Sequence, residues 1–256
     1  MLPIERQKKI YQLIKTNKVM KMKALTTLMA VSMDTLRRDI QQLLKEGKIK
    51  KIYGGIEYIE PAMTEIKLDQ RMGSMSKEKQ AIAKRCSEQV QDGDCIYLDS
   101  GTTTFKIAKY IKQKKNVTVV TNSILVVLEL ADSEVDVIII GGKIRKEEKS
   151  VFSHEALFHF ESLNIDKAFL CAGGITVEKG VSDYHLEEAI TRKTIMTIAN
   201  TIYVAADSTK FGKDVLIGIA PLEKIDCLIT DQHLQPCYID AFNKANATLL
   251  IAPLSH

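Results

Sequence analysis

The sequence predicts two folds in series: an α+β winged helix-turn-helix at the N-terminus, then an α/β domain built on a mostly parallel, helix-covered, Rossmann-like sheet. Three observations predict this. Residues 31–47 carry both the start and the stop signals of one amphipathic helix. Residues Ile49 to Tyr58 alternate apolar and polar side chains about Gly54-Gly55, a hairpin signal. From Cys95 onward, continuous apolar runs alternate with helical stretches. The predicted domains are 1–58 for the winged helix, 59–76 for a linker and 77–256 for the second domain.

Taken in order, Pro3 suits the first position of a helix whose apolar side is Ile10, Leu13 and Ile14. Val19 to Ala30 predicts a short helix with Ala24, Leu25 and Leu28 on one face, and Ala30-Val31-Ser32 a tight turn. Ser32 then offers an oxygen to the free N–H groups of the next helix, and Gly47 supplies a left-handed stop. Leu36, Ile40, Leu43 and Leu44 make that helix's apolar stripe. Its opposite side carries Asp34, Arg38, Gln41 and Lys45, flanked by Thr35, Arg37 and Gln42. Such side chains suit base edges and phosphates in a major groove, while Lys48, Lys50 and Lys51 on the hairpin wing suit phosphates. The predicted DNA contacts are Ser32, Asp34, Thr35, Arg37, Arg38, Gln41, Gln42, Lys45 and Lys51.

An ordinary surface helix shows the same stripe, so charge adds a separate argument. Residues 1–60 hold 13 Lys+Arg against 6 Asp+Glu, a net of +7; the chain is +4 overall, which leaves −3 for the remainder. A basic head on a mildly acidic body is expected where only the head meets nucleic acid.

After a poorly periodic stretch containing Pro61 and Gly73, a helix from Ser76 to about Val90 buries Ile82, Ala83, Cys86 and Val90. Strands are predicted at 95–98, 117–120, 135–140, 168–171, 202–206, 227–230 and 248–251, with helices at 105–111, 124–131, 187–199 and 239–245. Strands this apolar are buried on both faces, which favours a parallel sheet.

Chemistry-bearing residues gather where these strands end, as they do in doubly wound sheets. Asp99, Ser100, Gly101, Thr102, Thr103 and Thr104 lead from strand to helix. Free helix N–H groups plus hydroxyls make an anion cradle, although simple capping uses the same residues. Thr121, Asn122 and Ser123 repeat the arrangement one strand later. Gly142, Gly173 and Gly174 stand at further strand ends, where glycine admits close approach or shapes a turn. Asp183 and Glu187 suit sugar hydroxyls; Lys193, and Lys210 after Asp207, suit a phosphate.

Several of these runs together resemble the DeoR family of bacterial transcriptional regulators. They are Ile4-Glu5-Arg6-Gln7-Lys8-Lys9-Ile10, the Val31-Ser32-x-x-Thr35-x-Arg37-Arg38-Asp39 pattern, Tyr53-Gly54-Gly55, Asp99 to Thr104, Thr121 to Ser123, Gly141-Gly142 and Ala206 to Phe211. The resemblance implies a regulator, usually a repressor, of sugar or polyol catabolism. Its second domain would sense a phosphorylated metabolite on a fold like that of pentose-phosphate isomerase. Its partners would be double-stranded operator DNA, a phosphorylated sugar or polyol and further copies of the chain, as a dimer or tetramer, because one winged helix reads only a few base pairs. The isomerase likeness raises an enzyme as the rival, with Asp99, Asp183, Glu187 and Lys193 as acid–base groups, yet a winged helix is an odd attachment for one. Where many members continue to a Gly-Pro turn, this chain has Ser153-His154-Glu155.

Composition narrows the rest. At 45% hydrophobic, 256 residues are ample for a second core. No apolar run approaches the roughly 20 residues that span a bilayer, and no signal peptide is evident, so a cytoplasmic protein without membrane contact is expected. Five scattered cysteines lack a C-x-x-C pair and read as reduced core thiols; with only five histidines, neither a metal site nor a cofactor is expected.

Overall fold

The computed structural model describes residues 3–45, 49–58, 65–153, 163–245 and 247–254, without the side chains of Pro3 and Lys45. Gly47, Lys48, His154 and Glu155, each invoked above, lie outside the described residues. Two compact units are present, Met1–Ala62 and Met63–His256.

The first unit runs α1 (Pro3–Asn17), β1 (Val19–Met20), α2 (Met22–Met29), α3 (Met33–Lys45), β2 (Ile49–Ile52) and β3 (Gly55–Tyr58). Its core is Ile10, Ile14, Leu25, Leu36, Ile40, Leu43, Ile49 and Ile56, the apolar stripes of α1 and α3 closed by the hairpin. The expected face of α2 is corrected: Leu25 and Met29 are buried, while Leu28 is exposed and Ala24 with it. The helix starts at Met22 because Val19 and Met20 are taken by a two-residue strand paired to β3, too short to leave a periodic signal. The hairpin loop is Tyr53-Gly54 rather than Gly54-Gly55. Ile52 pairs with Gly55, and Gly54 takes the positive φ of 83° that the turn demands.

Asp39, which sequence periodicity leaves unexplained, fastens α3 to α1. It is 2% exposed and accepts hydrogen bonds from Arg6 Nε (2.6 Å), Arg6 Nη2 (3.2 Å) and Gln7 Nε2 (3.1 Å).

The second unit runs α4 (Leu68–Gly73), α5 (Ser76–Ser87), β4 (Cys95–Leu98), α6 (Thr102–Ile111), β5 (Thr118–Thr121), α7 (Ile124–Leu130), β6 (Asp136–Ile139), β7 (Lys143–Arg145) and β8 (Ser150–Phe152). It continues through β9 (Ile165–Leu170), β10 (Gly174–Thr176), β11 (Gly180–Asp183), α8 (Leu186–Ile198), β12 (Ala199–Ala205), β13 (Ile217–Ala220), β14 (Cys227–Asp231), α9 (Pro236–Lys244) and β15 (Thr248–Ala252). Seven of these strands form a parallel sheet in the order β15-β14-β12-β9-β4-β5-β6. Each is one of the seven apolar runs read from the sequence. Alternate residues face opposite cores: Ile96 and Leu98 pack with Ile82 of α5 and Ile107 of α6, and Tyr97 packs with Ile195 of α8.

Three features depart from expectation. Residues 59–76, expected as linker, include α4, and the second compact unit already begins at Met63. Within that stretch Ile66 and Leu68 are the residues expected to dock; Leu68 is buried and Ile66 exposed, and Arg71 adds ion pairs to Glu148 and Glu65 that apolar periodicity cannot reveal. The antiparallel hairpin β7-β8 and the antiparallel sheet β10-β11-β13 are additions to the parallel sheet, built from strands of three or four residues. Topologically, the chain steps from β4 to β5 and β6 on one side, then from β9 to β12, β14 and β15 on the other. The switch lies between β4 and β9, where such sheets open a crevice at their carboxyl ends.

Replacing Asp39 by Ala leaves Arg6 and Gln7 without their acceptor. The thermal midpoint of the first unit is expected to drop by more than about 5 °C, while that of the second stays in place; differential scanning calorimetry of the whole chain resolves the two.

Candidate functional site

In the first unit, Ser32 Oγ accepts the N–H of Thr35 (3.2 Å) and lies 2.9 Å from Thr35 Oγ1, so both residues close the N-terminus of α3. Arg37 Nη1 reaches Asp34 Oδ1 at 3.2 Å on the exposed face. Arg38, one residue further round, is exposed and makes no hydrogen bond or ion pair among the described residues. A groove between α3 and the wing is lined by Arg37, Gln41 and Lys51. Gln42 is exposed on the same helix. Lys50 pairs across the hairpin with Glu57 at 2.9 Å, and Tyr53 stands fully exposed at the wing tip. The unit thus offers one cationic helix face beside a cationic wing.

In the second unit a cleft opens at the β4/β9 switch. Its walls include Glu65, Arg71 and Lys79 from the segment before β4, Ser100 after β4, and Arg145 and Glu148 from the β7-β8 hairpin. Across from these stand Cys171, Gly173 and Asp183, then Glu188 and Arg192 of α8, then Asp207, Lys210 and Lys213.

Arg192 organises the floor. It is 4% exposed, its Nε donates to Asp99 Oδ2 at 2.5 Å, and its Nη1 lies 2.5 Å from Asp183 Oδ2. Asp99 also accepts the N–H groups of Ser100 and Cys171 at 2.8 Å each. Burial raises its pKa to about 6, against the lowering effect of Arg192. Burial works against Asp183 too, but there Arg192 and the N–H groups of His185 and Tyr184 outweigh it and keep the carboxyl below its usual range. Glu188 accepts from Ser100 Oγ at 2.9 Å and Ser150 Oγ at 2.6 Å, with Arg145 Nη1 at 3.5 Å. The register of the β7-β8 hairpin, Arg145 opposite Ser150, brings both onto that carboxylate.

Of the residues expected here, Ser100, Gly173, Asp183, Asp207 and Lys210 line the cleft. Others serve the fold instead. Asp99 is fully buried and saturated by its partners, so it presents no oxygen to a sugar. A Cβ on Gly101 would stand 2.3 Å from Cys171 Sγ, so packing demands glycine there; Gly142, at φ 143°, and Gly174 lie against the backbone of Phe152 and Lys213. Thr104 Oγ1 caps backward onto Asp99 O at 2.6 Å, and Thr102 and Thr103 are buried in the first turn of α6. Thr121 donates to Leu98 O, Ser123 caps α7 at Val126, and Asn122 stands behind the cleft, bonded to Tyr97. Glu187 and Lys193 miss the cleft by one residue each: helical register turns Glu188 and Arg192, four apart, inward and leaves Lys193 exposed. Of the four groups weighed for acid–base work, only Asp183 lines it.

Sequence reasoning missed Lys79, which is 3% exposed and donates to Arg71 O (2.5 Å) and Ser74 O (2.9 Å). Burial, joined by the charges of Lys210 and Arg71 and opposed by Asp207, brings its pKa down to about 8. Burial lowers Lys210 likewise. Arg145 was visible as the residue after Lys143-Ile144, but only the preceding glycines drew notice.

A helix-turn-helix unit followed by an α/β sensor unit is the architecture of a transcriptional regulator that carries its own signal-binding domain. A DeoR-like helix-turn-helix domain model matches residues 6–62 and a DeoR C-terminal sensor domain model residues 74–232. The chain belongs to the DeoR family of transcriptional regulators. It is 34% identical over 215 residues to the HTH-type transcriptional regulator IolR of Bacillus subtilis (strain 168), covering 84% of this chain and 85% of that one. The uncharacterized HTH-type transcriptional regulator YulB of the same organism is 32% identical over 256 residues, covering 100% and 99%. Among solved structures, a D-ribose-5-phosphate isomerase in complex with phospho-erythronic acid aligns over 53% of each chain at 18% identity, with a TM-score of 0.40. Among the described residues, no helix is long and apolar enough to cross a membrane, and no group of three or more His, Cys, Asp or Glu is placed to hold a metal ion.

Replacing Arg192 by Met strands Asp99 and Asp183 without their cation and is expected to cost the second unit about 3–5 kcal/mol at pH 8. Asp99, already at about 6, is driven higher in the variant and binds a proton as pH falls. The deficit should therefore shrink between pH 8 and pH 5, which urea unfolding of both proteins at each pH checks.

Proposed function

We propose that the second unit binds a phosphorylated sugar or polyol in this cleft, that binding changes the affinity of the first unit for operator DNA, and that the protein acts as a repressor of a sugar or polyol operon. One observation carries the reading. Lys79, Lys210 and Lys213 line the cleft, and none of them has a carboxylate within ion-pair distance among the described residues. Every arginine on the same walls is already matched by an acid. The lysines are the charge left over for an incoming anion. Lys79 spends two of its three donors on carbonyls and keeps one for the ligand. Ser100, Asp183 and Glu188 offer the oxygen-rich surroundings that sugar hydroxyls need.

The deciding experiment is an operator-release titration with a panel of sugar and polyol phosphates and their unphosphorylated parents. A phosphorylated compound should change DNA affinity and its parent should not; equal potency of the two overturns the reading. Because Lys79 is charged below about pH 8 and neutral above it, affinity for a phosphate monoester, fully dianionic from about pH 7, should fall as pH rises through 8. Lys79→Gln should flatten the profile and weaken binding roughly tenfold or more, read by calorimetric titration.

On DNA, Arg38 is the residue proposed to read base edges and Arg37 to hold phosphate. Arg38→Ala should cost roughly 1–3 kcal/mol on a selected operator and little on random DNA. Arg37→Ala should weaken both alike, as competition binding will show. A second copy of the chain supplies the second recognition helix, since one helix reads too few base pairs to select a site in a genome.

A further inference from the structure

We infer that Glu65 is an internal counterion of Arg145 that the bound effector displaces, so that ligand binding acts directly on the segment joining the two units. The inference rests on the cleft being the effector site. Glu65 comes three residues after Ala62, where the first compact unit ends, yet its carboxylate lies in the cleft of the second. There it pairs with Arg145 Nη2 and lies 3.7 Å from Arg71 Nη2 and 3.4 Å from His185 Nε2. Among the described residues that line the cleft, Glu65 is the nearest in sequence to the first unit.

Arg145 is under-used. It is 9% exposed, and its Nη1 is buried without a hydrogen bond, 3.5 Å from a Glu188 carboxylate that two serine hydroxyls already occupy. A guanidinium presents its donors as a planar fork suited to two oxygens at once. Here one prong has only the 3.5 Å ion pair to Glu188 and no hydrogen bond, and the other is held by Glu65. A ligand oxygen that engages the fork must replace Glu65, and an anionic ligand also repels it. Ligand and docked Glu65 therefore compete for one cation, and whichever state holds Glu65 in place binds effector less tightly.

The release would be local. Arg71 donates to Ile66 O at 2.8 Å and pairs with Glu148, so α4 stays anchored when Glu65 leaves. What loses its tether is Glu65 itself, three residues beyond the end of the first unit.

The test uses the full chain and Glu65→Gln, which keeps the size and removes the charge. Glycerol 3-phosphate, ribose 5-phosphate and fructose 1-phosphate are the probes, each measured for binding without DNA and for its effect on DNA affinity. Glu65→Gln should bind the active probe at least about threefold more tightly than the unaltered protein. The factor by which that probe changes DNA affinity should also shrink at least about threefold, from a starting value of roughly 5 to 150 for coupling of this kind. Arg145→Lys, which keeps the charge and loses the fork, should lose coupling too but bind the probe more weakly. Opposite signs on affinity with the same sign on coupling mark the exchange. Unchanged coupling in Glu65→Gln, or weaker binding by it, overturns the inference and leaves the cleft reading intact. If none of the three probes binds either protein, the cleft reading falls and the exchange with it.

Discussion

Arg192 is the buried charge around which the second unit's cleft is built. A single guanidinium joins the carboxylate that ends β4, the carboxylate that ends β11 and, through Asp99, the first amide after β9. Three separate pieces of chain are thereby held at one point of the sheet's switch. Burying an arginine is costly unless each charge finds a partner, so the site tolerates little rearrangement on any of these strands. The acids are not equal. Asp99 is buried deeply enough for its carboxyl to rise to about 6, while Asp183, beside the same cation, stays below its usual range. Asp183 takes N–H donors at the cleft wall, whereas Asp99 sits wholly beneath it.

Around this point the cleft's charges come in matched sets, and the lysines are what remains. Glu188 answers Arg145 and two serines, and Glu148 answers Arg71. Preformed pairs of this kind hold donors at fixed positions before a ligand arrives, which lowers the ordering cost of binding. An uncompensated, partly desolvated ammonium is different: it gains when an anion is added. Lys79, whose pKa burial lowers to about 8, is the clearest case. Matched arginines and unmatched lysines give the cleft the charge pattern on which the proposal of a phosphorylated ligand rests.

The first unit solves a similar problem more simply. A side chain on α3 that faces inward among Leu36, Ile40 and Leu43 would ordinarily be apolar. Asp39 is there instead, and Arg6 and Gln7 of α1 supply its donors. The Arg37-Arg38-Asp39 run therefore points two cations outward and one anion inward, and the anion holds the helix that presents them.

Residue periodicity by itself determined much. It located α1, the amphipathic face and start of α3, the wing, and all seven strands of the parallel sheet, because a strand buried on both faces must be apolar throughout and a helix on the surface must be two-sided. It also found the strand ends that border the cleft, and from them the cleft-lining Ser100, Gly173, Asp183, Asp207 and Lys210. What it did not decide was which polar residue at those ends faces the cleft. Glu187 and Glu188, or Arg192 and Lys193, look equivalent in a charged helical run, and one residue of register separates them. The short antiparallel strands escaped for lack of length, and α4 because a single buried leucine and the ion pairs of Arg71 leave no apolar period. Glu65 and Lys79 join the site from a segment far from the strand-end motifs, Arg145 stands beside one of them without a signal of its own, and a charge pairing across about 80 residues of chain leaves no local trace. Tertiary structure alone brings such groups together, because burial decides which charges must find one another.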